Sequence, residues 1–208
     1  MKRIITTLAL FIILTIVFSG MNGCNGTQTP TNNANGTPAN TNTTATGGNG
    51  ASTVYPLLVS GIADAPIELT DGTVTKVSER KGKVILLNLW GIWCGPCRAE
   101  MPALAQMQQQ YADKGFEVIG LNIGDQDGKP EDIEKIKKFE AEFTPKINYT
   151  LGRIDRASTQ QFYLQSRQEV VPQSFLVNRY GQLRGYWVGG GTRVTASIQE
   201  TLEKAMAE

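Results

Sequence analysis

The chain has 208 residues, with Lys+Arg 20 against Asp+Glu 19, a formal net charge of +1 and no histidine. That is room for one ordinary domain with tails, and the near-neutral balance without a basic stripe excludes nucleic acid as an expected partner. The missing histidines exclude Ser-His and Cys-His nucleophile pairs and every His-ligated metal site.

The N-terminus reads as an export signal. Lys2 and Arg3 form a positive start, and residues 4–18 are an apolar run broken only by threonines. The run is short for a span of about 20 residues and suits a signal h-region. An uncleaved signal anchor is the alternative, because Ser19, Gly20 and Met21 could extend it. Cys24 follows Gly23 just beyond the run, which resembles the lipobox of bacterial lipoproteins, although Met21 and Asn22 depart from that pattern. Lipidation of Cys24 is therefore expected, and either reading ties the chain to a membrane. Residues 24–53 collapse to Asn, Thr, Gly, Ala and Pro, a composition that builds no core. They are expected to be a disordered tether with an r.m.s. reach of roughly 30 Å. The expected organisation is a signal segment over 1–23, a tether over 24–53 and one domain over 54–208.

From residue 54 onward strands and helices alternate. Residues 66–70 and 73–77 flank Asp71-Gly72 and predict a hairpin. VILLNLW at 84–90 is a nearly continuous apolar run, as expected of a central strand covered on both faces. A helix is predicted over 95–113, with a kink at Pro102. FEVIGLN at 116–122 predicts a second buried strand. An amphipathic helix follows at 131–143, with Ile133, Ile136, Phe139 and Phe143 on one side. A weaker strand at 148–151 and a helix at 157–164 come next. Residues 174–178 and 182–188 form a hairpin around Tyr180-Gly181, and a last helix covers 194–207. A βαβ unit joined to a ββα unit is an α/β domain, a mixed sheet with helices on both faces.

The chemistry rests on the cysteines, of which there are 3. Cys94 and Cys97 form a Cys-x-x-Cys, and Cys24 stands apart. A structural zinc site needs four clustered ligands, and covalent haem attachment needs a histidine where Arg98 stands. A purely structural bridge is disfavoured because so short a loop restrains little chain entropy. Redox use remains, with no metal and no cofactor expected. Trp93-Cys94-Gly95-Pro96-Cys97 lies where a buried strand hands over to a helix N-terminus. Unpaired N–H groups and the helix dipole stabilise an anion there. Cys94 is expected to be the exposed, low-pKa nucleophile. Cys97, one turn further in, is placed to attack the mixed disulfide and release the partner. Pro96 costs little this early in a helix. Trp90 and Trp93 are read as packing and site-wall residues, and Arg98 and Lys83 as solvated. The Gly189-Gly190-Gly191 run lacks the lysine of a phosphate loop and reads as a hinge or turn.

The segment Trp90-Gly-Ile-Trp93-Cys94-Gly-Pro-Cys97-Arg-Ala-Glu100-Met-Pro102, with the later Val171-Pro172 before a strand, resembles the TlpA/ResA branch of thioredoxin-like proteins. The resemblance covers roughly residues 54–208. It implies a thioredoxin-like fold with an N-terminal β-hairpin and an insertion before the third core strand. It also implies that Pro172 is a cis proline leaving the Val171 backbone free for a substrate strand, and that Trp93, Gly95 and Pro96 share the substrate surface. Glu100, by the same resemblance, is a buried acid managing the protons of the cysteines; the alternative is a solvated helix glutamate. Asn88 stands where thioredoxin has a buried aspartate, and an amide cannot titrate. The implied function is a membrane-attached, extracytoplasmic thiol-disulfide oxidoreductase that reduces disulfides of exported proteins, apocytochrome c among the candidates. A membrane thiol donor would supply electrons, because no nicotinamide or flavin fingerprint is present. The alternatives are an oxidase or isomerase running the other way, a peroxiredoxin, which would need Ser or Thr where Gly91 stands, and a non-enzymatic binding lipoprotein.

Overall fold

The computed structural model describes residues 55–208. The signal segment, Cys24 and the tether lie outside the described residues. The first described element is a short helix the sequence did not announce, α1 (Ser60–Ala63), whose Ile62 is buried. The hairpin follows as β1 (Ile67–Leu69) and β2 (Val74–Thr75), paired antiparallel. It is shorter than predicted, because Val77–Glu79 turns into a single 3₁₀ turn. Asp71 holds the reversal by accepting from the Thr73 N–H at 2.8 Å, and Gly72 takes the positive φ of 86° that the turn requires.

The two apolar runs become strands over the predicted residues. β3 (Val84–Trp90) and β4 (Phe116–Asn122) are buried at every position and pair in parallel. The helix joining them, α2 (Gly95–Tyr111), runs on through Pro102 rather than ending there, and a 3₁₀ turn, Ala112–Lys114, closes it. Next come α3 (Ile133–Glu142) and β5 (Thr150–Arg153), then α4 (Arg156–Ser166). The capping side chains of Asp132 and Asp155 set where the two helices start. β6 (Gln173–Val177) and β7 (Leu183–Val188) form the second hairpin, and α5 (Thr192–Met206) ends the domain.

The strands make one mixed sheet in the order β2-β1-β5-β4-β3-β6-β7. The segment holding α3 and β5 is the insertion, and it places an extra parallel strand between β1 and β4. β5 starts two residues later than predicted. Asn148, the predicted first residue, instead donates its side-chain amide to the Ala105 carbonyl of α2 at 3.1 Å.

Alternation along β3 sends its side chains to two cores. Val84, Leu86 and Trp90 pack with Met101 and Leu104 of α2, Ile136 of α3 and Ile198 and Leu202 of α5. Ile85, Leu87 and Leu89 pack with Ile62 of α1 and Phe162 of α4. Lys83 is not simply solvated. Glu117, a β4 carboxylate that is mostly buried, draws in both its ammonium at 2.9 Å and the Arg80 guanidinium.

Topology puts the C-terminal end of β3 and the N-terminal end of β6 at one pole, since Leu89 pairs with Gln173. The described chain enters at the other pole, where Leu58 donates to Gly181 and Leu183 to Pro56 in the β6–β7 turn.

Candidate active site

β3 delivers the chain to a tight turn at its C-terminal end, where the Cys94 N–H donates to the Gly91 carbonyl at 3.0 Å. Cys94 caps α2, with extended backbone and a sulfur that accepts from the Cys97 N–H at 3.2 Å. That is the helix N-terminus the sequence called for, with an N–H aimed at sulfur. Cys94 and Cys97 are joined as a disulfide, their Cα atoms 5.3 Å apart.

One expectation needs correcting. Cys94 is not an exposed residue; it keeps 4% of its surface, against 0% for Cys97. The disulfide joins Cys94 to Cys97 of its own helix, and the Val171 carbonyl oxygen stands 3.9 Å from the Cys94 sulfur. Of the two residues, Cys94 is the less completely buried.

The residues that the resemblance names for the substrate surface differ in exposure. Gly95 and Pro96 are exposed, Val171 is half-buried and Pro172 is buried, with a cis Val171–Pro172 peptide. A second cis bond, Thr144–Pro145, was not anticipated. Gln173 pins the approach to Pro172 by donating to the carbonyls of Gln168 and Val170 at 2.7 and 2.8 Å. Trp93 is 41% exposed and donates its indole N–H to the Gly124 carbonyl at 2.9 Å. Its ring lies over Gly91, where an added Cβ would come within 2.7 Å of it. Beside Trp93 and Val171 a cleft of about 270 Å³ opens, with Asp125, Asp127, Arg156 and Glu169 on its walls.

Beneath the disulfide the site is polar and buried. Glu100 is 3% exposed, so the solvated reading fails. Its Oε1 accepts from Asn88 Nδ2 at 2.7 Å, and Asn88 also donates to Ser174 Oγ at 3.1 Å across the β3–β6 pair. Glu100 Oε2 and Asn88 Oδ1 have no partner. Burial pushes the Glu100 carboxyl up to about 7, and the Asn88 hydrogen bond pulls weakly the other way. The Tyr149 hydroxyl is also buried and unpartnered, and burial followed by the Glu100 charge pushes its pKa up. Trp90 is fully buried, its ring centroid 5.0 Å from that of Phe139 and tilted 32° to it, while the Arg98 guanidinium sits 5.9 Å above the Phe139 ring.

Sequence reasoning missed Tyr149, Ser174 and Gly190. Ser174 comes from β6, where register sets it opposite Asn88, and Tyr149 stands just ahead of β5, both outside the cysteine motif. Gly190 read as part of a hinge, yet a Cβ there would sit 3.0 Å from Glu100 Oε2, 3.3 Å from Pro172 Cγ and 3.4 Å from the Pro96 carbonyl. Nothing in the triple glycine marks which of the three borders the site.

The Redoxin family model matches residues 36–201. The thiol-disulfide oxidoreductase ResA of Bacillus subtilis (strain 168) is 37% identical over 70 residues, 32% of this chain and 39% of the relative. ResA of Geobacillus kaustophilus (strain HTA426) is 28% identical over 137 residues, 65% of this chain and 71% of that protein. The first of these matches thus spans about two fifths of the relative's length. Among solved structures, a thiol:disulfide interchange protein of the thioredoxin family from Chlorobium tepidum TLS superposes with a TM-score of 0.57 at 22% identity. The match covers 75% of this chain and 99% of that one, a likeness of fold.

Proposed function

The chain belongs to the Redoxin family, and from that premise we propose that it is a thiol-disulfide oxidoreductase working by dithiol-disulfide exchange at Cys94 and Cys97. The observation that carries the reading is the disulfide at the N-terminus of α2 with a buried, singly hydrogen-bonded carboxylic acid on the same helix. A redox couple that takes up or releases protons needs an acid able to change state near neutral pH, and Glu100 is placed for it.

Reduction begins with Cys94. As a thiolate it is stabilised by the helix N-terminus, attacks a partner disulfide and forms a mixed disulfide. Cys97 then attacks the Cys94 sulfur and the reduced partner leaves. Trp93, Gly95, Pro96, Val171 and Pro172 form the surface on which the partner lies. The substrates are disulfides of exported proteins, apocytochrome c cysteines being one class, and a membrane thiol donor recharges the pair. The direction is reductive by analogy with other Gly-Pro dithiols. We expect a reduction potential near the thioredoxin value of about −270 mV; one near −120 mV would make the protein an oxidant.

The reading includes a membrane attachment through Cys24 or an uncleaved anchor. Among the described residues no helix is long and apolar enough to cross a membrane. Mass spectrometry of the membrane fraction is expected to find a lipid-modified N-terminal Cys24; an intact N-terminus there supports the anchor, and recovery wholly in the soluble fraction contradicts both.

A further inference from the structure

Of the three glycines that follow β7, two are required by the backbone. Gly189 and Gly191 have φ of 86° and 104°, and a Cβ on either would meet nothing within 4 Å. Gly190 is the reverse. Its φ lies outside the region that favours glycine, so the backbone accepts any residue, but its missing side chain points at the Glu100 carboxylate, Pro172 and Pro96. Gly190 is itself exposed. The unpartnered Oε2 of an otherwise buried acid is therefore one glycine away from water.

We propose that Gly190 is a positioning residue for Glu100: the absent side chain at 190 is the port through which the carboxyl exchanges protons with solvent beside the disulfide. The other groups set near Glu100 do not carry charge out. Asn88 comes from β3 with Ser174 of β6 behind it, and neither titrates. Tyr149, ahead of β5, keeps its proton at neutral pH because burial holds its pKa high. On α2 itself the Cys94–Cys97 pair lies N-terminal to Glu100, and Arg98 is exposed over Phe139. Arg193, in the first turn of α5, is exposed as well.

The port matters in the resolving step, and this part rests on the exchange reading above. The Cys97 thiol gives its proton to the Glu100 carboxylate. The sulfur attacks Cys94, and the Cys94–Cys97 bond forms as the bond from Cys94 to the partner breaks. The pair is oxidised and the partner reduced; the partner leaves as a thiolate and takes a proton from water. Glu100 then returns its proton to solvent past Gly190.

The test is a ¹³C NMR titration of the Glu100 carboxyl in the oxidised protein, which needs no substrate and so stands or falls apart from the exchange reading. Gly190→Ala is expected to raise the midpoint by about one pH unit, because a methyl completes the desolvation of Oε2. Gly190→Ser, whose hydroxyl can donate to Oε2, is expected to move it down relative to Ala. Unchanged midpoints, or shifts of the same size and sign in both variants, would overturn the proposal. In turnover, Gly190→Ala is expected to displace the pH profile in a wild-type background and to leave it unmoved in Glu100→Gln; a displacement in both would reduce Gly190 to a packing residue.

Discussion

A Cys97→Ser variant is expected to accumulate mixed disulfides with partner proteins while its multiple turnover falls by at least about a thousandfold. The expectation follows from the asymmetry of the pair. Cys94 caps α2, accepts an N–H at 3.2 Å and is the less completely buried residue of the two. Cys97 is fully buried one helical turn away, already bonded to the sulfur it must attack. In the first half of the reaction Cys94 works alone, so the variant still forms the adduct. Resolution then depends on an external thiol, which replaces an intramolecular attacker of very high effective concentration and must reach an almost closed site. Non-reducing electrophoresis and turnover assays read the two effects. Turnover that survives without Cys97 would mean that the second sulfur is structural.

Glu100→Gln is expected to abolish a pH dependence that wild type shows in both activity and stability. For activity, the inflection near pH 7 in the rate of the resolving step disappears, and the rate at neutral pH drops on the order of a hundredfold, the usual worth of a positioned acid or base. For stability the sign is that of a raised acid. The unfolded chain loses this proton around the ordinary glutamate value of 4.5, whereas the folded protein holds it to about 7. Between those values the folded state binds more protons, so stability falls as pH rises through the window and is fully present only below it. The loss is about 3 kcal/mol once both states are ionised. Gln keeps the side-chain oxygen that accepts from Asn88 and carries no charge. Denaturation midpoints of the variant should therefore stay flat from pH 4.5 to 7.5 where wild type declines. Parallel curves would show that Glu100 ionises freely in the folded protein.

The parts of the fold that the sequence announces most clearly are those with one strong signal each. β3 and β4 are uninterrupted apolar runs bounded by turns, and the structure keeps both over the predicted residues. The helix termini shift by a residue or two because capping by Asp132 and Asp155, not the apolar period, sets where they begin. α1 escaped notice since four residues carry no period, and β5 slid because Asn148 found a partner on α2. At the site, motif spacing supplied the two cysteines, and the family resemblance supplied Glu100 and the Val171–Pro172 loop. Neither supplied the depth at which they sit. Cys94 looks exposed on a helix start and proves nearly closed, with the Val171 carbonyl of a loop 77 residues further on standing 3.9 Å from its sulfur. Gly190 was illegible for a similar reason: its role lies in a side chain it lacks, facing residues from two other elements.

The central claim is that Cys94 meets the partner and Cys97 releases it. Peptide mapping of the adduct trapped in Cys97→Ser tests it most directly, with Cys94→Ser as the counterpart. The partner is predicted to be found on Cys94 in the first variant, with no adduct forming in the second. A partner linked through Cys97 in Cys94→Ser, at a rate matching that of the first variant, would contradict the assignment.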